Sequence, residues 1–136
     1  MNKTLSAEIL SVGTELLLGG TTNTDARDIS IYLSELGINV YYHTVVGDNP
    51  ERLKGAVQIA RGRADIIITT GGLGPTCDDL TKQVLASAFD LEMVLHEELA
   101  EEIKRYFKEV IGVDTMTENN LQQAYLPAGC TIFHNE

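Results

Sequence analysis

The sequence predicts an α/β domain, a three-layer α/β/α sandwich around a mainly parallel, doubly wound sheet. Three observations carry that prediction. Strand-like and helix-like segments alternate in the order βαβαβα, which favours parallel strands joined by crossover helices. The segment from Ala64 to Thr70 holds Ile66, Ile67 and Ile68 in succession, an apolar run that fits a strand buried on both faces. The length, 136 residues, is that of one ordinary domain, and no repeat, low-complexity tract or long linker divides it.

Each element has its own reason. Ala7 to Val12 reads as a strand stopped by Gly13. Asn23 or Thr24 can cap a helix whose apolar positions Ala26, Ile29, Tyr32, Leu33 and Leu36 keep the helical period, with Gly37 just past its end. Ile38 to Val46 is rich in β-branched and aromatic residues and predicts a second strand. Asn49 before Pro50 starts the next helix; Leu53, Val57 and Ala60 form its inner face and Gly62 closes it. After the isoleucine strand and a glycine-rich turn, a helix is predicted over about 78–88. A further helix over about 96–110 places Leu99, Ile103, Phe107 and Val110 on one face, and its early glutamates form a solvated face that suits the macrodipole. Thr115 with Glu118 resembles a capping box for a short helix ending before Pro127, and Thr131 to Phe133 reads as a last strand.

Composition excludes several function classes. Hydrophobic residues make up 43% and charged residues 22%, a globular balance. No apolar run approaches the roughly 18 residues of a membrane span, and the N-terminus lacks the basic-then-apolar order of a secretory signal. Asp and Glu total 20 against 10 Lys and Arg, a formal charge of −10. Such a chain is not expected to bind nucleic acid or an anionic membrane, because phosphate neutralisation needs clustered cations. The expected location is cytoplasmic, with Cys77 and Cys130 as incidental thiols in no zinc spacing. His43, His96 and His134 show no metal-ligand spacing, and no serine–histidine–aspartate pattern occurs.

In a doubly wound sheet, ligands bind beyond the carboxyl ends of the strands. Three loops lie there. The strongest is Thr69-Thr70-Gly71-Gly72-Leu73-Gly74-Pro75-Thr76-Cys77-Asp78-Asp79-Leu80-Thr81. Its glycines let backbone amides approach a ligand, and the helix that follows offers N–H groups to an anion. It is neither a Walker A loop nor a GxGxxG turn. Asp78 and Asp79 have an alternative reading as acids that stabilise a helix start. The first loop runs from Gly13 to Thr24; its Glu15 directly follows a strand, and Asn23 either reads a ligand or only caps a helix. The second, Gly47-Asp48-Asn49-Pro50, sets a carboxylate beside a helix start, where Asp48 is otherwise an ordinary turn residue. Glu15, Asp48, Asp78 and Asp79 thus fall on one predicted edge. Carboxylates suit Mg²⁺ or another divalent cation, which would reconcile an acidic chain with an anionic ligand.

The segments Ile9-Leu10-Ser11-Val12-Gly13-Thr14-Glu15-Leu16-Leu17-Leu18-Gly19, Val46-Gly47-Asp48-Asn49, Thr70-Gly71-Gly72-Leu73-Gly74-Pro75-Thr76 and Asp78-Asp79-Leu80-Thr81 together resemble the N-terminal domain of the CinA (competence/damage-inducible) family, itself similar to the MoaB/Mog molybdopterin-binding fold. Lys82, Gln83, Thr117, Asn119, Asn120 and Gln123 match the same pattern. The resemblance covers nearly the whole chain and implies a site for a phosphorylated pterin or nucleotide in the three loops. It implies that Gly71, Gly72 and Gly74 contact phosphate, together with Gly13, Thr14, Asn23, Thr76, Asp78 and Thr81. It implies Asp48 and Asp79 as metal-holding and catalytic residues, with Glu15 as base or ligand.

The implied reaction is divalent-metal-dependent cleavage of ADP-ribose-like dinucleotides. The alternatives are molybdopterin adenylylation in molybdenum cofactor biosynthesis, and ligand binding without turnover. Leu73 stands where Mog-like proteins more often carry threonine, which argues against adenylylation. Cys77 stands where the family often has lysine, which removes one phosphate cation. Fold relatives are commonly oligomeric, so a dimer or trimer is expected. The family continues beyond Glu136 into a Gly-Thr-Ala-Pro-Gly stretch and further structure, so the chain is expected to be part of a longer protein. The family's C-terminal amidase-like activity on nicotinamide mononucleotide is not expected of it.

Overall fold

The computed structural model describes residues 4–77, 79–113, 115 and 117–134. Its elements run β1 (Ser6–Val12), α1 (Thr14–Leu17), α2 (Thr24–Glu35), β2 (Asn39–Val46), α3 (Pro50–Arg61), β3 (Ile66–Thr70), α4 (Thr81–Ala88), β4 (Met93–Leu95), α5 (Glu97–Tyr106), a π-turn (Phe107–Ile111), α6 (Glu118–Leu121), a 3₁₀ turn (Gln122–Ala124) and β5 (Tyr125–Pro127). Strands β2, β1 and β3 form a parallel sheet in that order, with Leu10 opposite Thr44 on one side and Thr69 on the other. β4 and β5 form a separate antiparallel pair.

The side-chain alternation of β1 splits the core in two. Leu10 and Val12 point to one face, where they meet Leu53 and Val57 of α3 and Val84 and Ala88 of α4. Ala7 and Ile9 point to the other and meet Ala26 and Leu33 of α2. Helices therefore cover both faces, as the three-layer expectation requires. Burying Ile9, Leu10 and Val57 contributes about 1.5–3 kcal/mol each, before the entropy of ordering the chain.

The polar exception on the first face is Glu8, fully buried. Arg63 closes on it with two parallel bonds, Nε to Oε2 at 2.8 Å and Nη2 to Oε1 at 2.7 Å, and the Thr44 hydroxyl donates to Oε1 at 2.6 Å. The guanidinium also lies over the Tyr42 ring, 3.7 Å from its centre. A buried carboxylate is tolerable here because every side of it is answered.

Both asparagine caps form as expected: Asn23 Oδ1 accepts from Ala26 N–H at 3.2 Å, and Asn49 Oδ1 from Arg52 N–H at 3.0 Å. Gly37, at φ 72°, is the left-handed residue that ends α2.

The structure corrects other expectations. β1, not β3, is the strand enclosed on both sides; β3 lies at the sheet edge and is half-buried along its length, because no strand flanks its outer side among the described residues. The helix expected from residue 78 begins at Thr81, since the chain up to Leu80 is held as a loop, and Asp78 lies outside the described residues. Val110 is 66% exposed instead of inward, because the helix widens into a π-turn at Phe107 and loses its 3.6-residue register before Gly112 stops it. The short helix takes Thr117, not Thr115, as its cap position. Thr131 to Phe133 is not a strand: Phe133 is 90% exposed, and the late strand is instead β5, paired with β4. No described helix is long and apolar enough to cross a membrane.

Candidate functional site

β1 leads through α2 on one face and β3 through α4 on the other, so the loops after these neighbouring strands diverge and open a crevice at their carboxyl ends. The glycine turn after β3 forms one wall. Gly71 takes φ 80°, and a Cβ there would drive into the Val12 carbonyl. Gly72 takes φ 62°, and a Cβ there would strike the Thr81 hydroxyl. Only glycine satisfies both the backbone angle and the approach to β1.

Thr81 holds this turn in place. It is fully buried, its Oγ1 donates to the Gly71 carbonyl at 2.9 Å, and its N–H donates to the Gly72 carbonyl at 3.2 Å. That hydroxyl is committed to the fold, so Thr81 shapes the glycine turn from behind. α4 then starts at Thr81 without a side-chain cap, whereas α2 and α3 each have an asparagine. Its first amide, that of Thr81, is already bonded to the Gly72 carbonyl, so the helix start packs directly against the glycine turn.

The two aspartates are fixed by parallel devices. Asp48 Oδ2 accepts from Thr14 N–H at 3.0 Å and from the Thr14 hydroxyl at 2.8 Å; the same hydroxyl accepts from Asp48 N–H at 3.1 Å. The loop after β2 is thereby clasped to the end of β1, where Gly13 N–H also donates to the Val46 carbonyl at 2.9 Å. Asp79 Oδ2 accepts from Thr76 N–H at 2.9 Å and from its hydroxyl at 2.5 Å. A Cβ on Gly74 would lie 2.6 Å from that carboxylate. Asp79 thus folds over the glycine turn and does not sit in a helical first turn, which removes the helix-start alternative for it.

These contacts set the charges. The Thr14 amide, then its hydroxyl, hold Asp48 below the usual carboxylate range; the charge of Asp79 pushes the other way, which places the two carboxylates within electrostatic reach. The Thr76 hydroxyl, and after it the Thr76 and Gly74 amides, hold Asp79 down as well. Carboxylates kept ionised are the oxygen donors a hard divalent cation takes.

The remaining predicted residues fall into different roles. Glu15 lies in the first turn of α1, and its carboxylate folds back over Gly13, so close that a Cβ on Gly13 would collide with it. Among the described residues no three His, Cys, Asp or Glu side chains form a group able to hold a metal, so Glu15 does not join the aspartates as a third ligand. Asn23 is occupied at both ends of its amide: Oδ1 caps α2, and Nδ2 donates to the buried Ser11 hydroxyl at 2.9 Å.

Sequence reasoning missed Ser11 and Thr70, whose hydroxyls meet at 3.2 Å and join β1 to β3 just below the crevice. Hydroxyl residues ending two apolar strands were the available signal. Lys82, singled out only as part of the family pattern, donates from Nζ to the carbonyls of Gln122, Gln123 and Tyr125 at 3.0, 3.2 and 3.1 Å. Cys77 and Cys130 are both exposed.

Comparison with known proteins identifies the family and the fold. A family model described as "Probable molybdopterin binding domain" matches residues 8–133. The CinA-like protein of Dictyoglomus thermophilum is 54% identical over 132 residues, which is 97% of this chain and 32% of that protein. The chain spans about a third of the length of the curated relatives it matches. Among solved structures, CinA of Thermoplasma acidophilum superposes with a TM-score of 0.80 at 30% identity, covering 94% of this chain and 73% of that one. The tungsten cofactor synthesizing protein MoaB of Pyrococcus furiosus superposes with a TM-score of 0.60 at 26% identity, covering 81% and 67%.

Proposed function

Because the chain belongs to the molybdopterin-binding domain family, in its CinA form, we propose that its crevice binds a phosphorylated nucleotide and splits a pyrophosphate bond in ADP-ribose-like dinucleotides with the help of a divalent cation. One observation carries the reading: two aspartates, each held ionised by a threonine, sit on the loops after β2 and β3 beside a glycine turn and an uncapped helix start, with the charge of Asp79 felt at Asp48.

Asp48 and Asp79 would hold the cation, Mg²⁺ or a similar ion, through carboxylate oxygens; when bound it supplies positive charge against the phosphate oxygens. The amides of Gly71 and Gly72 seat a phosphate group, the Gly74 and Thr76 amides being held by Asp79, and the first turn of α4 adds its dipole. Glu15, exposed on α1 beside the end of β1, is the base that takes a proton from water. The water oxygen bonds to one phosphorus, the bond from that phosphorus to the bridging oxygen breaks, and the products are AMP and ribose 5-phosphate.

The intact protein, assayed on ADP-ribose with Mg²⁺, is expected to lose about a hundredfold or more of its turnover on Asp79→Asn. Equal turnover would remove Asp79 from the mechanism. The second reading, adenylylation of molybdopterin, is favoured by the family description; formation of an adenylylated product from ATP and molybdopterin, with no ADP-ribose cleavage, would replace the first reading by it. Tight ADP-ribose binding without cleavage under any divalent metal would leave a binding module.

A further inference from the structure

Helix α5 and the π-turn after it are divided by charge. Glu97, Glu98, Glu101 and Glu102 occupy the first half; Lys104, Arg105 and Lys108 follow, with Glu109 the one acid among them. Every one of these residues is exposed. The order suits the helix dipole. It has a second consequence in a chain of net charge −10, because two copies of such a chain repel unless cations meet acids where they touch. Three of the ten Lys and Arg residues stand within 104–108.

These cations line a groove of about 470 Å³ between the end of α5 and α6, with Glu101 and Glu118 as its acids. Glu101 is already answered within the helix, by Lys104 Nζ at 2.6 Å, so the groove keeps a surplus of positive charge. Arg105 also borders the neighbouring surface of Tyr106 and Val110, which are 56% and 66% exposed. A basic groove thus adjoins uncovered apolar area. Both are needed for a protein contact, since exposed ion pairs alone contribute little.

We propose that α5 is a contact between two copies of this chain, packed antiparallel about a two-fold axis, with the acidic first half of each helix set against the basic groove of the other. Glu97 and Glu98 of the second copy meet Arg105 and Lys108, and the reverse contact forms with it, because a two-fold interface is self-complementary. Parallel packing would set acids on acids, so the charge order selects the antiparallel arrangement. The axis falls near Glu101 and Glu102, midway between the two ends. Their charges have local company there: Lys104 on Glu101, and the His134 ring 3.7 Å from Glu102. Tyr106 and Val110 supply apolar area beside each charged contact.

Sedimentation velocity of the intact protein tests this, and is expected to show a concentration-dependent dimer that salt weakens. Two charge-reversed variants locate its face: Glu97→Lys with Glu98→Lys, and Lys104→Glu with Arg105→Glu and Lys108→Glu. All five positions are exposed, so the fold should survive, and cooperative thermal unfolding checks that it does. Each variant alone is expected to self-associate about a hundredfold more weakly, because like charges then meet at both contacts. An equimolar mixture of the two should return to the dimer, since each reversed end finds its opposite on the other copy. An unmodified protein that stays monomeric overturns the interface, as does a variant that dimerises as tightly as the unmodified protein. A mixture that fails to combine also overturns it. A trimer would mean a head-to-tail contact and overturns the two-fold pairing.

Discussion

A single arginine decides how the core tolerates a carboxylate. The two bonds from Arg63, with the Thr44 hydroxyl behind them, hold Glu8 below the usual carboxylate range against the cost of burial. A lowered folded value means that Glu8 adds stability above its unfolded pKa of roughly 4.3. That contribution fades as the pH falls through the folded value. Arg63→Met leaves the buried charge without its partner. At pH 7 this is expected to destabilise the protein, because the carboxylate stays buried without its partner. In the variant, burial dominates and raises Glu8 instead, so the deficit should shrink as the pH is lowered toward 4.5. Urea unfolding of both proteins at the two pH values measures this, and a deficit independent of pH would contradict it. Gly71 and Gly72 were legible at the same scale, because glycines directly after a strand signal a close approach; that Thr81 would be the residue approached was not, since its burial depends on where α4 starts.

At the scale of elements, the first half of the chain was readable because local signals agree with packing. Asn23, Asn49, Pro50 and Gly37 punctuate helices whose apolar stripes then find β1. The second half was not, because its elements are set by distant partners. β4 and β5 have three residues each and exist through each other, and the π-turn at Phe107 breaks a period that the sequence carries on to Val110. Lys82 is the tie between the halves: from α4 it gathers three carbonyls at the 3₁₀ turn and β5. Burial lowers its pKa, so the ammonium is kept there by those carbonyls. Lys82→Met should speed amide hydrogen exchange across 117–127 by about tenfold while the β1–β3 amides keep their protection. Uniform loss of protection would show that the tie is global, and no change that it is idle.

For the whole molecule, a net charge of −10 makes the location of the ionised aspartates informative. Such a chain repels a pyrophosphate everywhere except where amides, a helix start and a bound cation overcome the field. Under the proposed function, the doubly wound topology would supply that place by parting the loops after β1 and β3. The fold and the glycine turn were therefore legible in the sequence, but the fixed positions of Asp48 and Asp79 needed the threonine clasps, which join residues 34 apart and three apart. The most direct measurement of the central claim is a crystal structure of the intact protein soaked with ADP-ribose and Mg²⁺. The account predicts pyrophosphate density over Gly71 to Gly74 with the ion between Asp48 and Asp79. Ligand density on another surface, with both aspartates untouched, would contradict it.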